Sequence, residues 1–327
     1  MMKKSLIALA IAAAAPAAFA ATSNVDVYGQ VRLSMDKTDA AGAAWTMADR
    51  VSRIGFKGSE DLGGGMSAIW GLEWDLTFVD GATSTGTGNV GGITSTTADT
   101  FGQRNQFIGL KGAFGTVLAG VHDTPYKLAG SADVFADTAA DAQGAAAIIG
   151  RAGTASFDMR AQNAIAYISP DYNGFHAAVA VIPGETTTTA NDLSNAQSLA
   201  LVYVNGPLKV TYGYEDHADL ANESAQKVNV GYKMGDLAVG ATYETQDIAG
   251  DTRKAHLVSA AYGMGPITLL AQYGKADRGA ATADLKRTVV GAGYALSKRT
   301  NAYLGYQISD DAGTETKTTT LGLNHSF

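Results

Sequence analysis

The chain has 327 residues, no cysteine, 6 prolines, 39 glycines and a formal net charge of −7. An acidic chain without a run of Lys or Arg lacks the surface that neutralises phosphates, which excludes nucleic acid as a partner, and the missing cysteine excludes thiolate catalysis, Cys-ligated metal and disulfides. Abundant glycine (usual share ~7%) beside 14 Tyr and 10 Phe describes β-structure with tight turns rather than disorder.

The N-terminus reads Met1-Met2-Lys3-Lys4, then an apolar run from Ser5 to Ala15, then Ala18-Phe19-Ala20. A charged start, a short apolar stretch and a small-residue site are the parts of a cleaved export signal. Residues 1–20 are therefore expected to be removed, leaving 21–327 as the working domain. The apolar run falls short of the roughly 20 residues that a membrane-spanning helix needs, and no later segment supplies one.

From there one pattern repeats: roughly ten residues with apolar side chains at alternate positions, then a break of Gly, Asp, Asn or Pro. In the first segment Val25, Val27, Val31 and Leu33 share one face, and Tyr28, Gln30, Arg32 and Ser34 share the other. The pattern predicts about 16 strands, near 25–35, 50–58, 66–78, 102–111, 115–121, 160–168, 174–182, 196–204, 207–215, 225–233, 236–246, 254–262, 266–274, 286–295, 299–309 and 317–327. Tight hairpins are expected at 61–65, 112–115, 171–174, 205–207, 234–236 and 263–266. Longer polar connections are expected at 80–100, 183–195, 247–253, 276–285 and 310–316.

Short turns at one end and long loops at the other are the asymmetry of an outer-membrane barrel. An even strand count lets the sheet close, so that no backbone group is left unpaired in lipid, and a barrel this wide encloses water rather than side chains. The expected class is all-β, a 16-stranded antiparallel transmembrane β-barrel. A secreted sandwich also alternates, but it does not place tyrosines repeatedly near strand ends, as at Tyr203, Tyr232, Tyr262, Tyr273 and Tyr306, where membrane interfaces favour them.

Several stretches carry a family likeness. Val25-Asp26-Val27-Tyr28-Gly29-Gln30 and the run from Ser52-Arg53-Ile54-Gly55-Phe56-Lys57-Gly58 through Ser59-Glu60-Asp61-Leu62-Gly63-Gly64-Gly65-Met66 resemble the N-terminal signature of the proteobacterial general porins. Arg104 with Gly109-Leu110, Phe114-Gly115-Thr116-Val117 and Gly120, and the run from Asn163 to Phe175, are similar to that family's central strands. The C-terminal Phe327, on an alternating strand, resembles the signal read by the outer-membrane assembly machinery.

This resemblance implies a homotrimer in outer-membrane lipid and lipopolysaccharide, passing small hydrophilic solutes and ions without a cofactor. It also implies a third extracellular loop, about 122–159, folded inward to narrow the pore. The matching wall arginines are Arg53, Arg104 and Arg160; the loop carries Asp133, Asp137 and Asp141. Arg32, where the family often has an acid, and Lys127 are weaker pore-lining candidates. A guanidinium keeps its charge inside a like-charged cluster, which predicts a weak preference for anions. An adhesin or structural barrel with ligand-binding loops is the alternative. Enzyme and metal readings fail: His122, His176, His217, His256 and His325 are scattered, the triple glycine is a turn, and Asp251, Asp310 and Asp311 read as solvated acids rather than a cation site.

Overall fold

The computed structural model describes residues 24–77, 79, 101–143, 147–152, 155–184, 195–217, 223–248, 250–278 and 284–327. The expected export signal at 1–20 and the connections 80–100 and 185–194 lie outside the described residues. The first strands are β1 (Asn24–Thr38), the short β2 (Thr46–Asp49), β3 (Arg53–Gly63), β4 (Met66–Leu76), β5 (Phe101–Gly112) and β6 (Gly115–Asp123). A one-turn helix α1 (Pro125–Leu128) and the two-residue strands β7 (Arg151–Ala152) and β8 (Ala155–Ser156) fall within the longest connection. The wall resumes with β9 (Arg160–Ile168), β10 (Phe175–Ile182), β11 (Ala196–Asn205), β12 (Leu208–His217), β13 (Glu223–Met234) and β14 (Leu237–Ile248). It ends with β15 (Asp251–Met264), β16 (Ile267–Asp277), β17 (Leu285–Ala295), β18 (Thr300–Asp311) and β19 (Thr314–Ser326).

Every neighbour in the wall is antiparallel, and the ring closes. Residues 30–38 of β1 pair with β19 from Gln30↔Ser326 to Thr38↔Thr318, while the other edge of β1 pairs with β2 and β3. Because β2 and β3 occupy one position, the 17 hydrogen-bonded segments make a closed 16-stranded barrel. At the seam, Gly29 and Phe327 exchange both backbone hydrogen bonds at 3.1 Å, and the Phe327 ring lies where a side chain on residue 29 would go.

Alternation sorts each strand into two faces. On β14, Val239 and Tyr243 are exposed while Thr242, Glu244 and Gln246 are buried. The exposed face is apolar around the wall, with Val25, Ile108, Val179, Val230, Val258, Leu269, Val290 and Leu323 all open, as lipid contact requires. Rings of Tyr203, Tyr232, Tyr262 and Tyr294 near the tight turns, and of Tyr243, Tyr273 and Tyr306 farther along, stand on the same face. The tight turns fall where expected; Gly206, Gly235 and Gly265 have φ of +55°, +58° and +60°, a conformation that glycine adopts without a Cβ clash.

Two expected loops are instead hairpin continuations. β14 runs to Ile248 and β15 starts at Asp251, and β18 and β19 are separated only by Ala312 and Gly313. Beyond the lipid both faces are wet, so hydropathy stops alternating while the hydrogen-bonded ladder continues.

The buried apolar clusters do not fill a barrel centre; most join residues 126–157 to the wall. Ala132, Ala142, Ile148 and Ile149 pack with Ala255, Leu257, Ala276 and Leu285. Tyr126 and Phe157 pack with Ala225 and Ile248, and Phe135 and Ala140 pack with Val289.

Candidate functional site

The described residues between 124 and 158 follow the polar face of the wall strand by strand. Thr124 caps α1 by accepting from the Lys127 amide at 3.3 Å, and Pro125 stands at its first position, where a missing N–H costs nothing. The Tyr126 amide then donates to Ser198 of β11 at 2.8 Å, and Thr211 of β12 donates to the Ala129 carbonyl at 2.7 Å. The Ala132 amide donates to Thr242 of β14 at 2.8 Å and the Val134 amide to Gln272 of β16 at 2.9 Å. Phe135 lies over Gly291 of β17, and Asp137 reaches Arg32 of β1 at 2.6 Å.

The chain then returns over the same strands. Arg287 of β17 donates to the Asp141 carbonyl at 2.8 Å, the Gly150 amide donates to Glu244 at 2.9 Å, and Asp158 meets Lys227 of β13 at 3.1 Å. Small wall residues make room for it: a Cβ on Gly213, Gly240 or Gly274 would press on Tyr126 and Ala129, on Ala132, or on Ile148. Some of the glycine excess is thus a seat for this segment. Tyr126, Ile149 and Phe157 are fully buried in it, each contributing about 1.5–3 kcal/mol.

Charge as well as apolar area fixes the return arm. Glu244 accepts from the Tyr126 hydroxyl at 2.6 Å as well as from Gly150 and Gln246. The Lys227 ammonium lies 4.1 Å from the centre of the Tyr126 ring, a cation–π contact strengthened by desolvation. Burial and the neighbouring Glu244 raise the Tyr126 phenol well above its ordinary pKa, so it remains a donor. His217 stacks on Phe157 at 4.9 Å and bonds Glu215 at 3.0 Å.

The arginines gather on the strands that this segment does not follow. Arg104 of β5 is held by Glu73 at 2.5 Å and Asp75 at 2.7 Å, both on β4. Arg53 of β3 stands 3.9 Å from Glu73 and 3.9 Å from Asp137. Asp137 thus bridges Arg32 and Arg53, and among the described residues it carries the segment's ion pairs to β1 and β3. Arg160 is apart from this group: it meets Asp123 at 3.2 Å and Asn105 at 2.9 Å, and Lys127 shares the same Asp123 at 3.2 Å.

Asp133 and Asp141 turn toward their own segment. Asp133 accepts from the Phe135 and Ala142 amides at 2.7 Å each, and Asp141 accepts from Asp137 and Gln143 at 2.7 and 2.6 Å. Burial, and then the charge of Asp133, push the Asp141 carboxyl up to about 7.

Bulges set these directions. Register slips between Leu72 and Trp74 on the β4–β5 ladder and between Gly120 and His122 on the β6–β9 ladder. Each extra residue re-aims the chain, which lets Arg104 meet Glu73 while the adjacent Asn105 meets Arg160. Glu73, Asp75, Lys227 and Glu244 escaped the sequence reading of the site. The signal was present, since Leu72-Glu73-Trp74-Asp75 alternates charge with apolar bulk within a strand, and a charge on the lipid face costs up to about 2–4 kcal/mol.

A closed sheet with an apolar outside, aromatic rings near its rims and charged side chains on the other face defines a β-barrel channel. The chain belongs to the Gram-negative porin family, whose profile matches residues 7–314. The major outer membrane protein P.IB of Neisseria gonorrhoeae is 30% identical, with 92% of each chain covered. Outer membrane porin protein 32 of Delftia acidovorans is 30% identical over 96% of this chain and 92% of its own. The solved anion-selective porin from Comamonas acidovorans superposes with a TM-score of 0.77 at 23% identity, over 93% of this chain and 100% of that one. The protein is a general diffusion channel of the outer membrane, not an enzyme.

Proposed function

We propose that the narrowest part of the channel lies between residues 124–158 and the strands β1, β3, β4, β5 and β9, lined by Arg32, Arg53, Arg104 and Arg160 with Asp137 opposite. The observation that carries this reading is the path of the segment: it is hydrogen-bonded along β11–β17 and reaches the arginine-bearing strands through Asp137. Asp133 and Asp141 act by holding the segment's shape; Asp137 is the acid in the opening.

Selectivity follows from a near-cancellation. Arg32, Arg50, Arg53, Arg104, Arg160 and Lys127 face Asp36, Glu73, Asp75, Asp123 and Asp137, an excess of one cation. A weak anion preference results, because charge is focused where the opening is narrow. The solutes are small hydrophilic molecules and ions, moving down their gradients without a cofactor. The working form is a homotrimer in outer-membrane lipid and lipopolysaccharide, exported with loss of residues 1–20 and delivered through an assembly signal ending at Phe327. Reversal potentials in planar bilayers under a potassium chloride gradient test the reading. A small displacement toward the chloride equilibrium potential is expected, and displacement toward that of potassium would refute it.

A further inference from the structure

One stretch of the outer wall carries charge where the rest of that face is apolar. His256, Lys275 and Lys286 are cross-strand neighbours on β15, β16 and β17, paired His256↔Lys275 and Lys275↔Lys286. The row stands on the lipid-facing side: Tyr273 precedes Lys275 by two residues on the same face, and His256 is opposite Tyr243, with the ring centres 4.9 Å apart. His256 and Lys286 are exposed. We infer that this row is a docking surface for a phosphate group of lipopolysaccharide in the outer leaflet, seated just beyond the tyrosine ring at the loop-bearing end.

Like charges directly opposed in a sheet repel, and their Cβ atoms are only about 5 Å apart, so Lys275 and Lys286 are placed to share one anion. Asp284 offsets part of the charge, reaching Lys275 at 2.8 Å, and Asp310 is across from Lys286. The acids nevertheless lie farther from the lipid. Asp277 and Asp310 stand four residues loopward of Tyr273 and Tyr306, whereas Lys275 stands two from Tyr273, so a headgroup at the tyrosine level meets the lysines first. The turn-bearing end differs: two residues beyond Tyr232 and Tyr262, the same face carries the exposed Met234 and Met264. Basic at the loop rim and apolar at these positions of the turn rim, the wall matches a bilayer whose outer leaflet is phosphorylated glycolipid. Lysine suits the place, since its stem lies along apolar surface while the ammonium reaches outward.

The surface rests on the reading of an outer-membrane barrel with its loops outward, and the two fail differently. Wild-type protein refolded in detergent free of lipopolysaccharide is titrated with fluorescent lipopolysaccharide and with the same lipid after dephosphorylation; the phosphorylated form should bind and the other should bind far more weakly. Lys286→Gln should raise the half-saturating concentration about fivefold, and Lys275→Gln together with Lys286→Gln about thirtyfold. Lys209→Gln, on the polar face at the turn-bearing end of β12, should leave it unchanged. Single-channel conductance, recorded for every variant, reports that each has folded. Equal half-saturation in the wild type and the double variant, or equal binding of the two lipids, overturns the surface. Displacement of the lipid by inorganic phosphate alone would assign the row to a free anion and overturn it too. A wild type that binds the lipid but does not conduct overturns the channel reading instead.

Discussion

Replacing Glu73 by Gln should make the channel distinctly more anion-selective. Glu73 is buried between Arg104, at 2.5 Å, and Arg53, at 3.9 Å. Gln keeps its volume and an acceptor oxygen but removes the charge. The local set of Arg32, Arg53 and Arg104 against Glu73, Asp75 and Asp137 then passes from balanced to one net positive. A unit charge ~7 Å from an ion is worth about 0.6 kcal/mol in water and twice that at half the dielectric constant. Screening over a Debye length of ~8–10 Å roughly halves both figures. Chloride gains and potassium loses about 0.3–0.6 kcal/mol, so their permeability ratio should rise about three- to eightfold. Asp75 and Asp137 remain to hold the arginines, which limits the stability cost to about 1–3 kcal/mol. The assay is the reversal potential of purified wild-type and Glu73→Gln channels in a potassium chloride gradient. An unchanged potential, or one moved toward potassium, would show that this cluster does not face the ion path.

Three further outcomes follow from the seat of residues 124–158. Lys227→Met leaves Asp158 without its cation and removes the charge over Tyr126; it should destabilise the protein by about 3–5 kcal/mol, read as an earlier thermal transition by circular dichroism in detergent. Gly240→Val places methyl groups against Ala132, whose Cβ is already 3.0 Å from the site of a Cβ on residue 240, and should push the segment toward the opening and lower single-channel conductance; equal conductance would contradict the seat. For Asp141 the folded pKa is about 7 against an ordinary 3.8, so its contribution to stability is complete below pH ~4 and is lost as pH rises to ~7. The wild-type unfolding temperature should therefore fall across that window relative to Asp141→Asn, and parallel curves would contradict the raised Asp141 carboxyl.

Much of the wall was legible because a barrel strand obeys a local rule: lipid outside and water inside impose period two, and turns need Gly or Asn at particular steps. Val25 to Leu33, the Asn205-Gly206-Pro207 turn and the final strand ending in Phe327 all followed it. The rule fails where its cause does. At 247–253 and 310–316 water meets both faces, and paired strands read as loops. At the bulges beside Trp74 and Val121 one extra residue reverses the parity, so neighbours Arg104 and Asn105 serve different partners. The segment 124–158 was legible only as long and acidic, because its hold on Ser198, Thr242, Gln272 and Glu244 spans 72 to 138 residues of sequence. Whether an Asp there faces an arginine or caps its own backbone, as Asp137 and Asp133 respectively do, is decided by turn geometry that composition does not carry.

The absence of cysteine lets the ion path be mapped with single introduced thiols. Single cysteines placed by Arg53→Cys, Asp137→Cys and Thr242→Cys can be treated with a bulky charged thiol reagent during bilayer recording. Conductance should fall sharply at positions 53 and 137, which line the opening, and stay unchanged at 242, which lies beneath the segment and bonds Ala132. A silent position 53 together with block at 242 would put the ion path on the other side of residues 124–158 and contradict the proposed opening.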